Sequence, residues 1–495
     1  VKKRDDDQKV IVIGGGLGGI SAAATMAISG YDVELYEKNA HLGGKLNKKS
    51  QDGFTFDLGP SILTLPSIFS RLFEWAGKEM EDYVEIEKLE PQWRSFFPDG
   101  DVIDLYSDVN KMVKKNERLT KKDGEQISRY LDYSEHLYET VTEGYFKEGL
   151  DTKKEVKKHY GYISLLKDFD YFSTMNQGVE RYIDDENLQH MFNFFIKYVG
   201  SSPYRAPAIM NLLPHVQIEY GLWYVPGGLY GLAEGLEDLL EELEVDIHKN
   251  SEVVDLITKG DQITRIRLEN GKVRKGDIFI SNMEVIPTYR DLLDGKERLI
   301  ERYEKKFEPA CSGLVLHLGV DRKYDQLEHH NFFFSKDPEK HFETIFQDYE
   351  LPEDPTIYLV ASTQSDLDQA PEGCENIKVL PHIPHLGENE YSKEDYETLK
   401  ENVLDKLERM GLEDLRDHIV TEDMWTPEDI REKYYSNKGA IYGVVSDRKK
   451  NTGFKAPKSS EEFENLYFVG GSVNPGGGMP MVTLSGQKVK KRIEE

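Results

Sequence analysis

VIVIGGGLGGISAAATMAISGYDVELYEK, residues 10–38, decides how the rest of the chain is read. No charged residue stands between Lys9 and Asp32, so the stretch imitates both a membrane span and the apolar core of a secretion signal. Two details reject both readings. Asp5, Asp6 and Asp7 separate the basic Lys2, Lys3 and Arg4 from the apolar run, and glycines at 14, 15, 16, 18 and 19 break it where a membrane helix needs continuity. Taken as VIVI strand, GGGLGG turn, ISAAATMAISG helix and YDVELYE strand, every local preference agrees on one unit: strand, tight turn, helix, parallel strand.

The glycine spacing has a mechanical reason. Gly14 permits a sharp exit from the strand, Gly16 lets backbone N–H groups approach a pyrophosphate, and Gly19 lets the helix pack close to the sheet. Leu17 and Gly18 complete the turn, and the helix N-terminus offers unpaired N–H groups and a dipole that favour an anion. Glu37 ends the second strand, where an acid binds the adenosine ribose diol and repels a 2′-phosphate. KNAHLGGK (38–45) follows, in which Gly43 and Gly44 bring backbone near phosphate, Lys45 supplies a cation and Lys38 is counted with the same site. In FDLGPSIL (56–63), Gly59 and Pro60 make a turn, and Ser61 is expected to cap a helix aimed at that site.

ENLYFVGGSVNPGGGMPMVTLSGQKVKKRI (464–493) repeats the grammar of strand, glycine-rich turn and helix at the other end of the chain. A dinucleotide turn near one terminus and a second turn near the other suit FAD. Its pyrophosphate lies on the first turn, and its ribityl chain and isoalloxazine run along Gly470, Gly471, Gly477, Gly478 and Met479. The second helix dipole favours negative charge at the ring when it is reduced. Val254, on a strand after the helix GGLYGLAEGLEDLLEEL, is expected to pack against adenine.

The chain of 495 residues exceeds what one core organises. The expected fold is α/β: a discontinuous, Rossmann-like FAD/NAD(P)-binding domain from 9–90, 221–289 and 430–495. An α+β substrate domain from 91–220 and 290–429 is inserted into it. A net charge of −28 excludes a nucleic-acid footprint, while the Lys-rich runs 113–124 and 151–159 are candidates for touching anionic lipid. Only Cys311 and Cys374 are present, which argues for a reducing cytoplasm. SKEDYETLKENVLDKLERMG (392–411) reads as an amphipathic helix with a Ser392–Asp395 capping box. Aromatic clusters, Phe192, Phe194, Phe195 and Tyr198, and Trp223 with Tyr224, are candidates to line a tunnel for an apolar substrate. His329, His330, His382 and His385 have no metal-ligand spacing, and no nucleophile motif occurs, so catalysis rests on the cofactor.

These motifs resemble the carotenoid (phytoene-type) desaturase family of FAD-dependent oxidoreductases. The turn at 14–19, Glu37, Gly43 with Gly44, and FVGxxxxPGxGxP at 468–480 carry the resemblance. Lys45 stands where many relatives carry Arg, and Gly471 where amine-oxidase-like relatives carry an acid. QWRSFFPDG (92–100), NFFIKYVGSSPY (193–204), GLWYVPGGLYGLAEGL (221–236) and ISNMEVIPTY (280–289) are similar to the diapocarotenoid-oxygenase branch. That resemblance implies oxidation of a terminal methyl of a long apolar polyene to an aldehyde. A desaturase of the same fold and a non-redox isoprenoid escort are the alternatives. It also implies a cytoplasmic protein held peripherally at a membrane surface, with dioxygen or a quinone as electron acceptor. TLPSIFSRLFEWAGK (64–78) is one candidate contact helix, with core packing as the other use of its apolar stripe. No catalytic acid or base declares itself, and Arg94, His215 and Glu284 read as structural.

Overall fold

The structure, a computed structural model, describes residues 8–387 and 389–495. Its first layer grows from β1 (Lys9–Ile13), helix α1 (Leu17–Ile28) and β2 (Asp32–Tyr36). Three distant strands join them: β3 (Asp246–His248), β4 (Ile278–Ser281) and β5 (Leu466–Phe468), the last leading to helix α2 (Met479–Glu494). All five strands are parallel, in the order β5-β4-β1-β2-β3. Val10, Ile11 and Val12 have no exposure, as a central strand covered on both faces requires. Chain ends that are far apart in sequence therefore meet in one sheet.

Small residues let the two helices approach closely. Ala22, Ala23 and Ala24 of α1 are fully buried, and Ser21 Oγ donates to the Thr483 carbonyl of α2 at 2.7 Å. An antiparallel three-stranded sheet, Val253–Lys259, Gln262–Leu268 and Val273–Lys275, flanks this layer. Gly271 N donates to the Leu268 carbonyl in its expected hairpin turn.

The second layer is a mixed sheet whose path runs 419–425, 315–320, 375–383, 357–360, 330–333, 93–96 and 102–105. Trp93–Phe96 pairs in parallel with His330–Phe333, which welds the two separated middle segments together. Lys393–Arg409 covers this sheet, starting at a Ser392–Asp395 capping box, with Tyr396, Leu399, Val403 and Leu407 buried beneath it.

Two expectations are settled here. The helix expected over 64–78 runs Pro66–Trp75, and Ile68, Leu72 and Phe73 are buried, leaving Trp75 exposed. Its apolar stripe is spent on the core, the second of the two uses open to it. Phe192, Phe194 and Phe195 pack into a core with Trp93 and Phe332, whereas Tyr198 of the same cluster borders a cavity. Trp223 and Tyr224 form a short strand against Glu87 and Lys88. Among the described residues, no helix is long and apolar enough to cross a membrane.

Candidate functional site

The two glycine turns touch. A Cβ placed on Gly18 would stand 2.9 Å from the Gly470 amide nitrogen, and one on Gly19 would stand 2.0 Å from the Gly14 carbonyl oxygen. Gly14 (φ +94), Gly470 (φ +100) and Gly478 (φ +98) occupy backbone regions that side chains avoid. A Cβ on Gly477 would meet the Tyr442 carbonyl at 2.3 Å. A side chain at Gly18 would force the two turns apart, and one at Gly19 would force α1 away from the first turn.

One cavity of about 410 Å³ runs between them. Gly14, Gly16, Leu17 and Gly18 border it from the first turn, and Gly470, Gly471, Gly477, Gly478 and Met479 border it from the second. Glu37, Lys38, Gly43, Gly44 and Lys45 add a third edge, and Gly59, Pro60 and Ser61 a fourth. Gly19 stands off the cavity and acts as the close-packing point between α1 and the turn. Val254 does not border it either. Val253 does, and successive strand residues face opposite ways. Ser61 caps no helix, because the next one begins only at Pro66; its buried hydroxyl is without a partner beside the cavity.

Glu37 is buried and fully engaged. Oε2 accepts the Gly15 N–H at 2.7 Å, and Oε1 accepts the backbone and side-chain N–H groups of Asn39, both at 2.8 Å. Lys38 Nζ lies 3.4 Å from the Tyr435 ring centroid. Lys45 donates to the carbonyls of Ala440 (3.1 Å) and Ile441 (2.8 Å). Burial pushes its ammonium below the ordinary lysine value, opposed by the Glu284 carboxylate. Burial raises Glu284 in turn, opposed by Lys45.

Glu284 borders the cavity, a position that its reading as structural did not anticipate. Asn282 was missed as well, and its side chain sits between the two turns, beside Gly16, Gly18 and Gly470. Both follow β4, and ligands of open α/β sheets collect beyond the carboxyl ends of parallel strands. That rule is the signal that could have found them. Arg94 is structural: it forks onto Asp104 at 2.7 and 2.8 Å. His215 is buried against Tyr138. Lys378, buried and pushed down to about 8 by desolvation, donates to the carbonyls of Asp57 (2.9 Å) and Gly59 (2.6 Å) at the cavity edge. Among the described residues, no group of three or more His, Cys, Asp or Glu side chains could hold a metal ion.

The donor set suits a flavin dinucleotide. The N-terminus of α1, whose first-turn N–H groups lack intrahelical acceptors, borders the cavity at Leu17 and Gly18, an arrangement that suits a pyrophosphate, and the Glu37 carboxylate borders the same cavity. The fold and this cleft define a flavin-dependent oxidoreductase with FAD as its cofactor. Residues 17–493 match the flavin containing amine oxidoreductases, and the chain belongs to that family.

Its curated relatives are more particular. It is 56% identical to a 4,4′-diaponeurosporene oxygenase of Staphylococcus haemolyticus, over 98% of this chain and 97% of the relative. It is 56% identical to a 4,4′-diapolycopene oxygenase of Methylomonas sp, over 99% of this chain and 98% of the relative. Among solved structures, an oxidoreductase of Methanosarcina mazei superposes with a TM-score of 0.64 at 15% identity, covering 98% of this chain and 100% of that one. A putrescine oxidase bound to putrescine superposes with a TM-score of 0.66 at 13% identity, covering 98% and 99%. At those identities the likeness is one of fold.

Proposed function

We propose that the enzyme oxidises the terminal methyl group of a diapocarotenoid, 4,4′-diaponeurosporene, to an aldehyde. The observation that carries this reading is the cavity's composition beyond the glycine turns. Leu65, Phe146, Leu212, Leu213, Val216 and Met481 form an apolar wall, which fits a hydrocarbon chain and no charged amine. The names of the relatives sharing more than half of the sequence point the same way. FAD, when bound, supplies hydride acceptance. The protein holds the methyl at the turn formed by Gly477 and Gly478 and excludes water with its apolar wall. Conjugation along the polyene spreads the charge left behind. Dioxygen or a quinone then takes the electrons, and the aldehyde oxygen comes from dioxygen or from a water admitted to the carbon left electron-poor.

The test is product mass after incubating the holoenzyme with diaponeurosporene in liposomes. Gain of oxygen with loss of two hydrogens per end is expected. Loss of hydrogen alone would assign a desaturase instead.

A surface patch supports a peripheral membrane location on the cytoplasmic side. Tyr162, Tyr171 and Phe172 are 64%, 46% and 69% exposed within eleven residues. Lys153, Lys154, Lys157 and Lys158 are exposed beside them on the helix Lys153–Lys167, and Arg448 Nη1 donates to the Phe172 carbonyl at 2.5 Å, bringing the exposed Lys449 near. A basic, aromatic patch on a chain of net charge −28 suits the surface of an anionic bilayer. It also adjoins the cavity: Phe146 lies in the neighbouring turn Thr142–Glu148, and Tyr160 of the helix donates to the Thr140 carbonyl at 2.5 Å.

A further inference from the structure

Lys197 is buried, with 4% of its surface exposed, and its Nζ has no hydrogen-bond partner. A lysine taken out of water normally keeps a carboxylate or carbonyl to itself. Here the amine is surrounded by ring faces instead. Nζ lies 4.0 Å from the Trp93 centroid, 4.1 Å from Tyr198 and 4.6 Å from Phe332.

The position is as telling as the cage. Lys197 borders the cavity, on a short turn Phe194–Val199 that abuts the second glycine turn; the Tyr198 carbonyl is 3.7 Å from where a Cβ on Gly478 would stand. Other unpartnered polar atoms sit in the same structure, among them Trp93 Nε1 and His330 Nε2. The titratable groups facing Lys197 are Tyr198, Tyr358, His330 and His382. Burial raises both tyrosines and lowers both histidines, so all four are uncharged near neutrality. Lys378 also borders the cavity, but its ammonium is engaged by two carbonyls.

Turning a methyl into an aldehyde removes four electrons, so a terminal hydroxymethyl group lies midway. We propose that Lys197 receives the hydroxyl of this half-oxidised polyene and takes its proton as the alcohol becomes the aldehyde. The inference rests on the methyl-to-aldehyde reading given above. In this step the O–H bond breaks and its proton passes to the Nζ lone pair. The carbinol C–H bond breaks and its hydride goes to the enzyme's flavin oxidant, while C–O becomes C=O. The ammonium so formed is then faced by three aromatic rings, which attract a cation. Desolvation holds Lys197 well below the ordinary lysine value beforehand, which leaves the amine free to accept.

The experiment feeds the holoenzyme a C30 polyene carrying a terminal hydroxymethyl group and compares Lys197→Met and Lys197→Arg with the wild type. Both variants should form aldehyde about 100-fold more slowly or worse, as loss of a general base does, with unchanged flavin content. Fed the hydrocarbon, they should accumulate the hydroxymethyl polyene. Quenching of tryptophan fluorescence should show the wild type binding the alcohol more tightly than the hydrocarbon, a preference absent in Lys197→Met. In the wild type, the alcohol-oxidation rate should climb with pH and level off as the amine loses its proton. A flavin-loaded Lys197→Met enzyme that makes aldehyde at the wild-type rate overturns the proposal. So does a wild type that binds the hydroxymethyl polyene no more tightly than the hydrocarbon, a measurement that needs no variant to fold. A wild type that oxidises the supplied alcohol but leaves the hydrocarbon untouched refutes the proposed function and leaves the role of Lys197 standing.

Discussion

Glu37 closes the first turn with the same carboxylate that faces the nucleotide cleft. Its three accepted N–H bonds, from Gly15 and twice from Asn39, hold the glycine loop in shape. Glu37→Ala leaves the buried Gly15 N–H unpaired, which costs about 1–3 kcal/mol, and frees the part-buried Asn39. The variant should lose FAD on gel filtration, read as flavin absorbance per protein. Full flavin occupancy would remove Glu37 from the site. This residue is legible in sequence because its place at the end of a second strand is local information. Lys197 is not. NFFIKYVG reads as an apolar run with one charge, and nothing within it says that Trp93 and Phe332 will close over the amine.

At the scale of elements, the α1–α2 contact carries the cleft. Gly486 lies against α1, where a Cβ would stand 2.6 Å from the Gly18 carbonyl oxygen and 2.7 Å from the Ala22 nitrogen. Gly486→Leu should drive the helices apart, lower stability by about 1–3 kcal/mol and separate the turn at Gly18 from that at Gly470. Thermal melting together with flavin retention checks this. An unchanged melt would mean that the helices do not need their close approach. The strand–turn–helix grammar of both termini and the capped helix Lys393–Arg409 were readable, because period, cap and turn residues are neighbours in sequence. The helix expected at Ser61 and the adenine contact expected at Val254 were not. Where a turn ends, and which face of a strand meets a ligand, depend on what packs against them.

For the whole molecule, the basic aromatic patch opposes the overall acidity, and its contribution should depend on ionic strength. The holoenzyme should float with vesicles containing phosphatidylglycerol, release as salt rises, and bind purely zwitterionic vesicles weakly. Lys157→Glu with Lys158→Glu, or Tyr171→Ser with Phe172→Ser, should reduce flotation several-fold. Equal flotation of these variants would move the contact elsewhere, and no flotation of the wild type would remove the membrane from the reading. What the sequence determined unaided was the nucleotide-binding unit at each end, since glycine needs and strand–helix periodicity act over a few residues. That the two ends share one cleft, that Glu284 and Asn282 enter its wall, and that Lys197 sits caged without an acceptor were decided only by the tertiary structure. Burial and partnership are properties of neighbours in space, and here those neighbours lie up to hundreds of residues away along the chain.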